Sequence, residues 1–234
     1  MQCIPIHTRI LRPPKDDLIA VFDESLPEIK NRDVIIVTSK VVSIHQGKCV
    51  RRDGHDKVAM AKSQSQSFLP NSSPLITIIQ HALVLAAGID PFDGHYVSLP
   101  DNPNEFAEEI KVYLCKKYKL TELGVIISDS HSAPFRRGVM CYAIGYAGIK
   151  PLMDQSDRGD NAQWTTNILD VLTGFGGLYL GESVQKHTYT PIVIMRDFKY
   201  VEFTDKRYDD VYYLKKEDDL YAPLYAKFID ANKV

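Results

Sequence analysis

The sequence predicts a chain of mixed α and β structure, and three observations carry that prediction. Short apolar runs rich in β-branched residues, at 34–37, 125–127 and 191–195, have the length of buried strands. Residues 103–118 combine an apolar stripe (Phe106, Ile110, Tyr113, Leu114) with glutamates early and lysines late, the charge order that a helix dipole favours. Residues 75–87 are nearly continuous apolar sequence broken at Thr77 and Gln80-His81. Their β-branched first half reads as two strands joined at Gln80-His81 rather than as one helix.

Taken in order, residues 1–12 alternate as a first strand that Pro13-Pro14 stops, and Asp16-Asp17 open a helix through about Phe22. The strand from Asp33 ends in Thr38, Ser39 and Lys40, two hydroxyls and a lysine able to bind phosphate; the same trio also suits a plain turn. Asp53-Gly54 reads as a tight turn, residues 57–68 have modest helical spacing, and the SQSQS run at 63–67 reads as a mobile surface stretch. Asn102 or Asn104 can cap the helix at 103–118. A further helix is expected over 166–172, followed by a glycine-rich passage with Gly174, Gly176 and Gly177, and another strand over 199–203. The tyrosine-rich tail beyond Asp205, with Tyr212, Tyr213, Tyr221 and Tyr225, is expected to pack over the core or a partner subunit.

At 234 residues the chain can bury one large core or two intimately joined lobes. Hydrophobic and charged fractions of 44% and 25% are those of an ordinary soluble protein, and a net charge of −2 offers no basic footprint for nucleic acid. Cys3, Cys49, Cys115 and Cys141 lie far apart without C-x-x-C spacing, which favours buried thiols in a reducing cytoplasm over disulfides or a zinc site. The opening MQCIPIHTRIL lacks a signal-peptide layout, and no apolar run approaches the roughly 20 residues of a membrane span. The expectation is a cytoplasmic protein with neither a membrane nor a nucleic-acid partner.

The stretch richest in chemistry is GVIISDSHSAPFRRGVMCYAIGYAG, residues 124–148. Asp129 and Ser130, at the end of its apolar run, are able to hold a hard cation; Arg136 and Arg137 are able to hold phosphate or carboxylate. Asp-Ser after a strand is also ordinary turn chemistry, and adjacent arginines also suit a solvated face. Asp90, just past the glycine of AAGID, is a second carboxylate that with Asp129 is able to bridge Mg²⁺ or Mn²⁺ if the fold brings the two together. Glu182, on a Gly-Glu-Ser turn, is a candidate third acidic ligand, and Asp154, Asp157, Arg158 and Asp160 are candidate substrate contacts or solvated loop residues. His81 reads as a turn residue, not a ligand. The chain has no Walker-type phosphate cradle, no paired G-x-G-x-x-G and no Ser-His-Asp elbow.

The segments DVIIVTSKVVS, AAGID, LPDNPNEFAEEI, GVIISDSHSAPFRRGVMCYAIGYAGIKPL, ILDVL and LGES stand in an order that resembles the coenzyme F420-0:γ-glutamyl ligase family over about residues 1–196. The resemblance implies an α+β fold of mixed sheets with flanking helices, an intertwined homodimer, and a C-terminal extension over 197–234. It also implies GTP as co-substrate, Mg²⁺ or Mn²⁺, and glutamate joined to an acceptor bearing a glutamyl group or carboxylate, through an acyl phosphate. Carried over by position, it assigns metal binding to Asp90, Asp129, Ser130 and Glu182, and nucleotide binding to Ser39, Lys40 and Asp93. Arg136 and Arg137 would meet an anionic substrate group. The chain departs from the family pattern at Ile44, where lysine is usual, at Ala86 in place of asparagine, at Ala133 in place of arginine, and in the short DRGDNAQW loop at 157–164. These departures imply a different acceptor, or a degenerate member that binds a nucleotide or a partner without ligase activity. No cofactor motif supports a flavin-linked reaction.

Overall fold

The apolar runs form the interior of one sheet. The computed structural model describes residues 1–154, 165–181 and 189–233. In chain order its first elements are β1 (Gln2–Ile6), α1 (Leu18–Ser25), β2 (Asp33–Thr38), α2 (Ser39–His45), β3 (Cys49–Arg51) and α3 (Lys57–Gln64). Short strands follow: β4 (Ser67–Leu69), β5 (Ile76–Ile79), β6 (Ala82–Leu85), β7 (Asp90–Phe92) and β8 (His95–Val97). Then come α4 (Pro103–Tyr118), β9 (Leu123–His131), β10 (Met140–Ala147), β11 (Leu152–Asp154), β12 (Thr165–Asn167), α5 (Ile168–Gly177), β13 (Ile192–Arg196) and β14 (Ile229–Asp230).

The main sheet runs β1-β13-β2-β9-β10. Its β2–β9 pair is parallel, and the other neighbours are antiparallel. Alternate side chains feed two cores. Ile35, Val37, Val125, Ile127, Ile192 and Ile194 meet Phe22 of α1 and Ile110 and Leu114 of α4 on one face. Val34, Ile36, Ile126, Val193 and Met195 meet Leu169 and Leu172 of α5 on the other. A strand covered on both faces needs apolar residues at every position, which is why the runs are continuous rather than alternating. Full burial of each such side chain contributes roughly 1.5–3 kcal/mol. The chain between the parallel strands supplies the sheet β3-β8-β7 and the strands β4, β5 and β6 of a second small sheet, whose edge strand β14 comes from the C-terminal segment, before α4 returns it to β9.

Two backbone devices fix the course of β10. The register shifts between Ala143 and Gly145, and a Cβ at Gly145 would stand 2.5 Å from the Pro103 carbonyl carbon at the start of α4. Gly148 turns with φ +77°, and a Cβ there would run into the Leu123 carbonyl oxygen. β10 lies at the sheet edge, yet side chains occupy backbone groups along it. The Ala143 N–H donates to Asp170 at 2.9 Å and the Tyr146 N–H donates to Asn104 at 2.9 Å. Tyr212 and Tyr213 lie over these residues and bond back to them, Tyr212 to Asp170 at 3.0 Å and Tyr213 to Asn104 at 3.3 Å.

After β1 the backbone leaves the sheet, with the Thr8 N–H donating to Tyr189 at 3.0 Å, so the first strand ends at Ile6 and does not continue to residue 12. The Arg9 guanidinium then forks onto Asp16 at 2.8 and 2.9 Å and reaches Glu24 at 3.0 Å. Arg9, with the Arg12 and Asp17 N–H groups, lowers the Asp16 carboxyl to about 2 from 3.8. Asp17 caps α1 through the Ile19 and Ala20 N–H groups.

The hairpin at Gln80-His81 is present, with both residues at positive φ (48° and 61°), as a two-residue turn between twisted strands requires. Other expectations need correction. The SQSQS run is no loose surface stretch: Ser65 and Ser67 are buried, and the Gln66 N–H bonds Ile78 at 2.8 Å as the chain enters β4. Asn102 is the N-cap of α4, its carbonyl accepting from the Phe106 N–H at 3.0 Å, but it sits in the left-handed region without a side-chain cap bond, and the Asn104 side-chain oxygen serves β10. Gly174, Gly176 and Gly177 belong to α5, where a Cβ on Gly176 or Gly177 would collide with Ile36 or Cys141. Residues 199–203 form no strand; a single antiparallel bridge joins Phe203 to Ile149, framed by the Lys150 N–H donating to Glu202 at 2.9 Å and the Thr204 N–H donating to Gly148 at 3.1 Å. The cysteines are half-buried rather than buried, and among the described residues no disulfide joins them. No described helix is long and apolar enough to cross a membrane.

Gly148→Ala is expected to cost roughly 2–4 kcal/mol, read as a lower midpoint in urea unfolding, because the new methyl has only backbone to meet. Asp16 has a folded pKa below its unfolded value, so its contribution is present in full above about pH 4 and is lost as pH falls through about 2. Asp16→Asn should therefore flatten the acid limb of stability between those values.

Candidate active site

Parallel pairing sets β2 and β9 side by side with Thr38 opposite Ser128, so both strands end at the same side of the sheet. The next residue of each chain carries chemistry. Ser39 begins α2, and its hydroxyl donates to the Asp129 carboxylate at 3.2 Å, both residues being buried. Lys40, one residue on, sets its ammonium 3.3 Å from the Asp90 carboxylate. Successive residues of α2 thus hold the two aspartates that the sequence separates widely. Asp129 is 9% exposed, whereas the Asp90 side chain is 52% exposed and faces outward.

Asp90 owes its position to the backbone before it. Ala86, Ala87 and Gly88 have φ of 49°, 52° and 66°. Left-handed alanine costs roughly 1–2 kcal/mol per residue, and here the Ala87 N–H donates to the Thr77 hydroxyl at 2.9 Å to hold the bend. Asparagine tolerates this region better than alanine, so Ala86 leaves a strain that burial of Ala87 and this bond must offset.

A cavity of about 330 Å³ opens beside Lys40, lined by Arg9, Leu11, Thr38, Ile44, Phe92 and Tyr189 among others. Ile44, 1% exposed, gives it an apolar floor. The Thr38 hydroxyl is buried in the same wall and has no hydrogen-bond partner among the described residues. An orphaned hydroxyl costs about 1–3 kcal/mol, so a polar group of a ligand lying there would satisfy it. Asp93 is not among the lining residues; it follows the lining Phe92 in the chain, has a left-handed backbone, φ 44°, and pairs with Arg12 at 3.0 Å. Arg9, Arg12 and Lys40 stand on this side, each already paired with carboxylate: Arg9 with Asp16 and Glu24, Arg12 with Asp93, and Lys40 with Asp90.

Ser130 follows Asp129 in β9. Adjacent strand residues point to opposite faces, so the two side chains address different positions on either side of the strand. Arg136 and Arg137 stand on the exposed turn between β9 and β10, where the Arg136 guanidinium folds onto the Phe135 carbonyl at 3.1 Å. The structure gives neither arginine a contact with Asp90 or Asp129 among the described residues. Glu182, and with it Asp157, Arg158, Asp160 and the DRGDNAQW loop, lies outside the described residues. Asp154 is exposed at the end of β11. Among the described residues no three His, Cys, Asp or Glu side chains gather into a metal-holding group, so the donors on hand are Asp90, Asp129 and neighbouring hydroxyls. Oxygen donors of this kind suit Mg²⁺ or Mn²⁺ rather than a softer metal.

Three features are absent from the sequence reading. Arg9 lines the cavity because the chain leaves the sheet after β1. Tyr142 lies directly across from Asp129 in the β9–β10 register. Burial raises its phenol well above 10, with the Asp129 carboxylate adding to the shift. His131 packs edge-on against Tyr142 with ring centres 4.6 Å apart, and burial lowers its pKa. Strand alternation from Asp129 would have pointed to His131.

The family described as F420-0:gamma-glutamyl ligase matches residues 5–197. Proteins named coenzyme F420:L-glutamate ligase are similar along most of the chain. The one from Methanocaldococcus jannaschii is 30% identical, covering 81% of this chain and 85% of its own. That from Methanopyrus kandleri is 27% identical, covering 84% and 86%, and one from Methanococcus maripaludis is 27% identical, covering 93% and 96%. The chain belongs to the F420-0:gamma-glutamyl ligase family of enzymes.

Proposed function

We propose that the protein joins glutamate to a carboxylate-bearing acceptor, a coenzyme F420 precursor or a folate-like molecule, using GTP and a divalent metal. The contacts of Ser39 with Asp129 and of Lys40 with Asp90, on one edge of a cavity with Arg9 at its wall, carry this reading. The γ-phosphoryl group passes to an acceptor carboxylate oxygen: a P–O bond forms, the bond to GDP breaks, and an acyl phosphate results. The glutamate amine then attacks the acyl carbon, the C–N bond forms, phosphate leaves, and the amine proton goes to solvent. A bound Mg²⁺ or Mn²⁺ supplies neutralisation of the phosphate charge along this path. The chain's own residues do the rest. Asp90, Asp129, Ser130 and Glu182 would hold one or two such ions, Ser130 from the face of β9 opposite to Asp129, and Lys40 would turn from Asp90 to the phosphates. Ser39 holds Asp129 in place, and the cavity takes the nucleoside, with Asp93, next to the lining Phe92 in the chain, as a further contact. Arg136 and Arg137 take an anionic group of the acceptor. Charge-assisted contacts of this kind in a fixed frame stabilise developing charge without reorganisation.

The exposed turn that carries Phe135 (99% exposed), with Val139 and Met140 beside it, supports a homodimer in which a second copy covers these side chains. The unit of chemistry is residues 1–196, and 197–234 extend it.

Incubation with GTP, Mn²⁺, glutamate and an acceptor panel should release phosphate and add a glutamyl mass to one acceptor, and Asp129→Ala should abolish both. Phosphate release untouched by Asp129→Ala would remove the metal assignment. Lys40→Ala should weaken stabilisation of the protein by GTP–Mn²⁺ about tenfold in apparent affinity in thermal-shift titrations, the loss of one charge-assisted contact. The Lys40–Asp90 pair and the apolar Ile44 favour one second reading, a nucleotide binder without turnover. Strong GTP–Mn²⁺ stabilisation with no turnover across the panel would select it.

A further inference from the structure

A second cleft, of about 220 Å³, opens along β10. One wall is Tyr142. As the direct cross-strand partner of Asp129, it leaves the sheet on the same face as that carboxylate. Its hydroxyl is buried and has no hydrogen-bond partner among the described residues. His81 and Tyr213 form another wall as stacked rings, 4.6 Å between centres and 23° apart in plane. Asp170 lies in the cleft, its carboxylate accepting from Asn167 at 2.6 Å and from Tyr212 at 3.0 Å. Asp170 and Asp219 are the acidic lining residues, and neither lysine nor arginine lines the cleft. Tyr212, Tyr213 and Leu214 come from beyond residue 197, where the family match ends, so this wall is added to the matched unit.

The lining selects a chemistry. Two carboxylates with no cation repel phosphate and carboxylate. Aromatic faces attract a flat ring, and Asp170, Asn167 and the Tyr142 hydroxyl offer hydrogen-bond partners to its edge. A volume of 220 Å³ is below the roughly 300–1,000 Å³ of a whole-ligand site, which fits one ring system and not an entire substrate. A larger, more polar cleft of about 610 Å³ shares Gln80, His81 and Tyr213 with it and adjoins it.

We propose that the cleft between β10 and the C-terminal segment seats a planar, uncharged heterocycle with N–H groups on its edge, as the ring portion of the acceptor. Seated there, the ring lies against Tyr142, and the remainder of the molecule extends toward the face that carries Asp129. The word acceptor rests on the ligase reading above; ring binding itself does not.

The test uses the full chain and pterin as the fluorescent probe, with benzoate as an anionic ring for comparison. Pterin fluorescence should be quenched saturably. Tyr142→Phe should weaken binding about tenfold, and Tyr213→Ala should weaken it further. Benzoate should not compete. Absence of saturable quenching, competition by benzoate, or equal pterin affinity in both variants with unchanged unfolding midpoints would overturn the proposal. The same variants assayed with GTP, Mn²⁺ and the acceptor panel separate the two readings. Pterin binding that needs Tyr142 and Tyr213, in a protein that turns over no acceptor, keeps the ring site and sinks the ligase. Turnover with an unaltered acceptor KM in both variants keeps the ligase and sinks the ring site.

Discussion

The parallel pairing of β2 with β9 is the constraint on which the rest depends. Antiparallel neighbours would put the ends of these two strands on opposite sides of the sheet. Parallel neighbours put both ends together, and the register of Thr38 against Ser128 aligns them residue for residue. Ser39 meets Asp129 for that reason and no local one. The pairing persists because both of its faces are covered, by α1 and α4 on one side and α5 on the other. Residues between the strands are then free to build the smaller sheets, one of which delivers Asp90 to Lys40.

Stability and site geometry pull against each other around Asp90. Two alanines and a glycine in the left-handed region are an expensive way to turn a chain. Thr77, fully buried, ties this bend to β5 and β6 by accepting from Ala87 and donating to the Val84 carbonyl at 2.9 Å. Asp90 itself remains half open to solvent. Were Asp90 to exchange Lys40 for a cation, as proposed above, that openness would give the ion access, whereas Asp129, held by Ser39, is the fixed point.

Much of this fold is legible in the sequence where a single element carries the whole signal. The runs at 34–37, 125–127 and 191–195 show burial on two faces, and the helix at 103–118 shows its stripe and its charge order. The Gln80-His81 hairpin is legible from the β-branched residues before the break, although its positive φ values are not. Legibility fails where distant segments decide. KYVEF alternates like a strand, but its pairing is confined to the single bridge of Phe203 with Ile149. The glycines of α5 read as loop formers, yet they sit in a helix because Ile36 and Cys141 leave no room for a Cβ. For the site, the strand-end positions of Asp129 and Ser39 are visible, but their contact joins residues 90 apart and leaves no local trace. Arg9 and Tyr142 were invisible for the same reason: each acquires its neighbours only through sheet topology.

The side chains that occupy the outer edge of β10 have a consequence for how copies of this chain are able to meet. Asp170 and Asn104 take backbone donors that an incoming strand would need, and Tyr212 and Tyr213 lie across them. The sheet is therefore closed to extension from that margin, which also shields it from amyloid-like stacking. Trimming the chain before Tyr212 would strip away the outer cover while leaving the two polar plugs in place. The opposite margin of the sheet, β1, has no such plugs along it among the described residues.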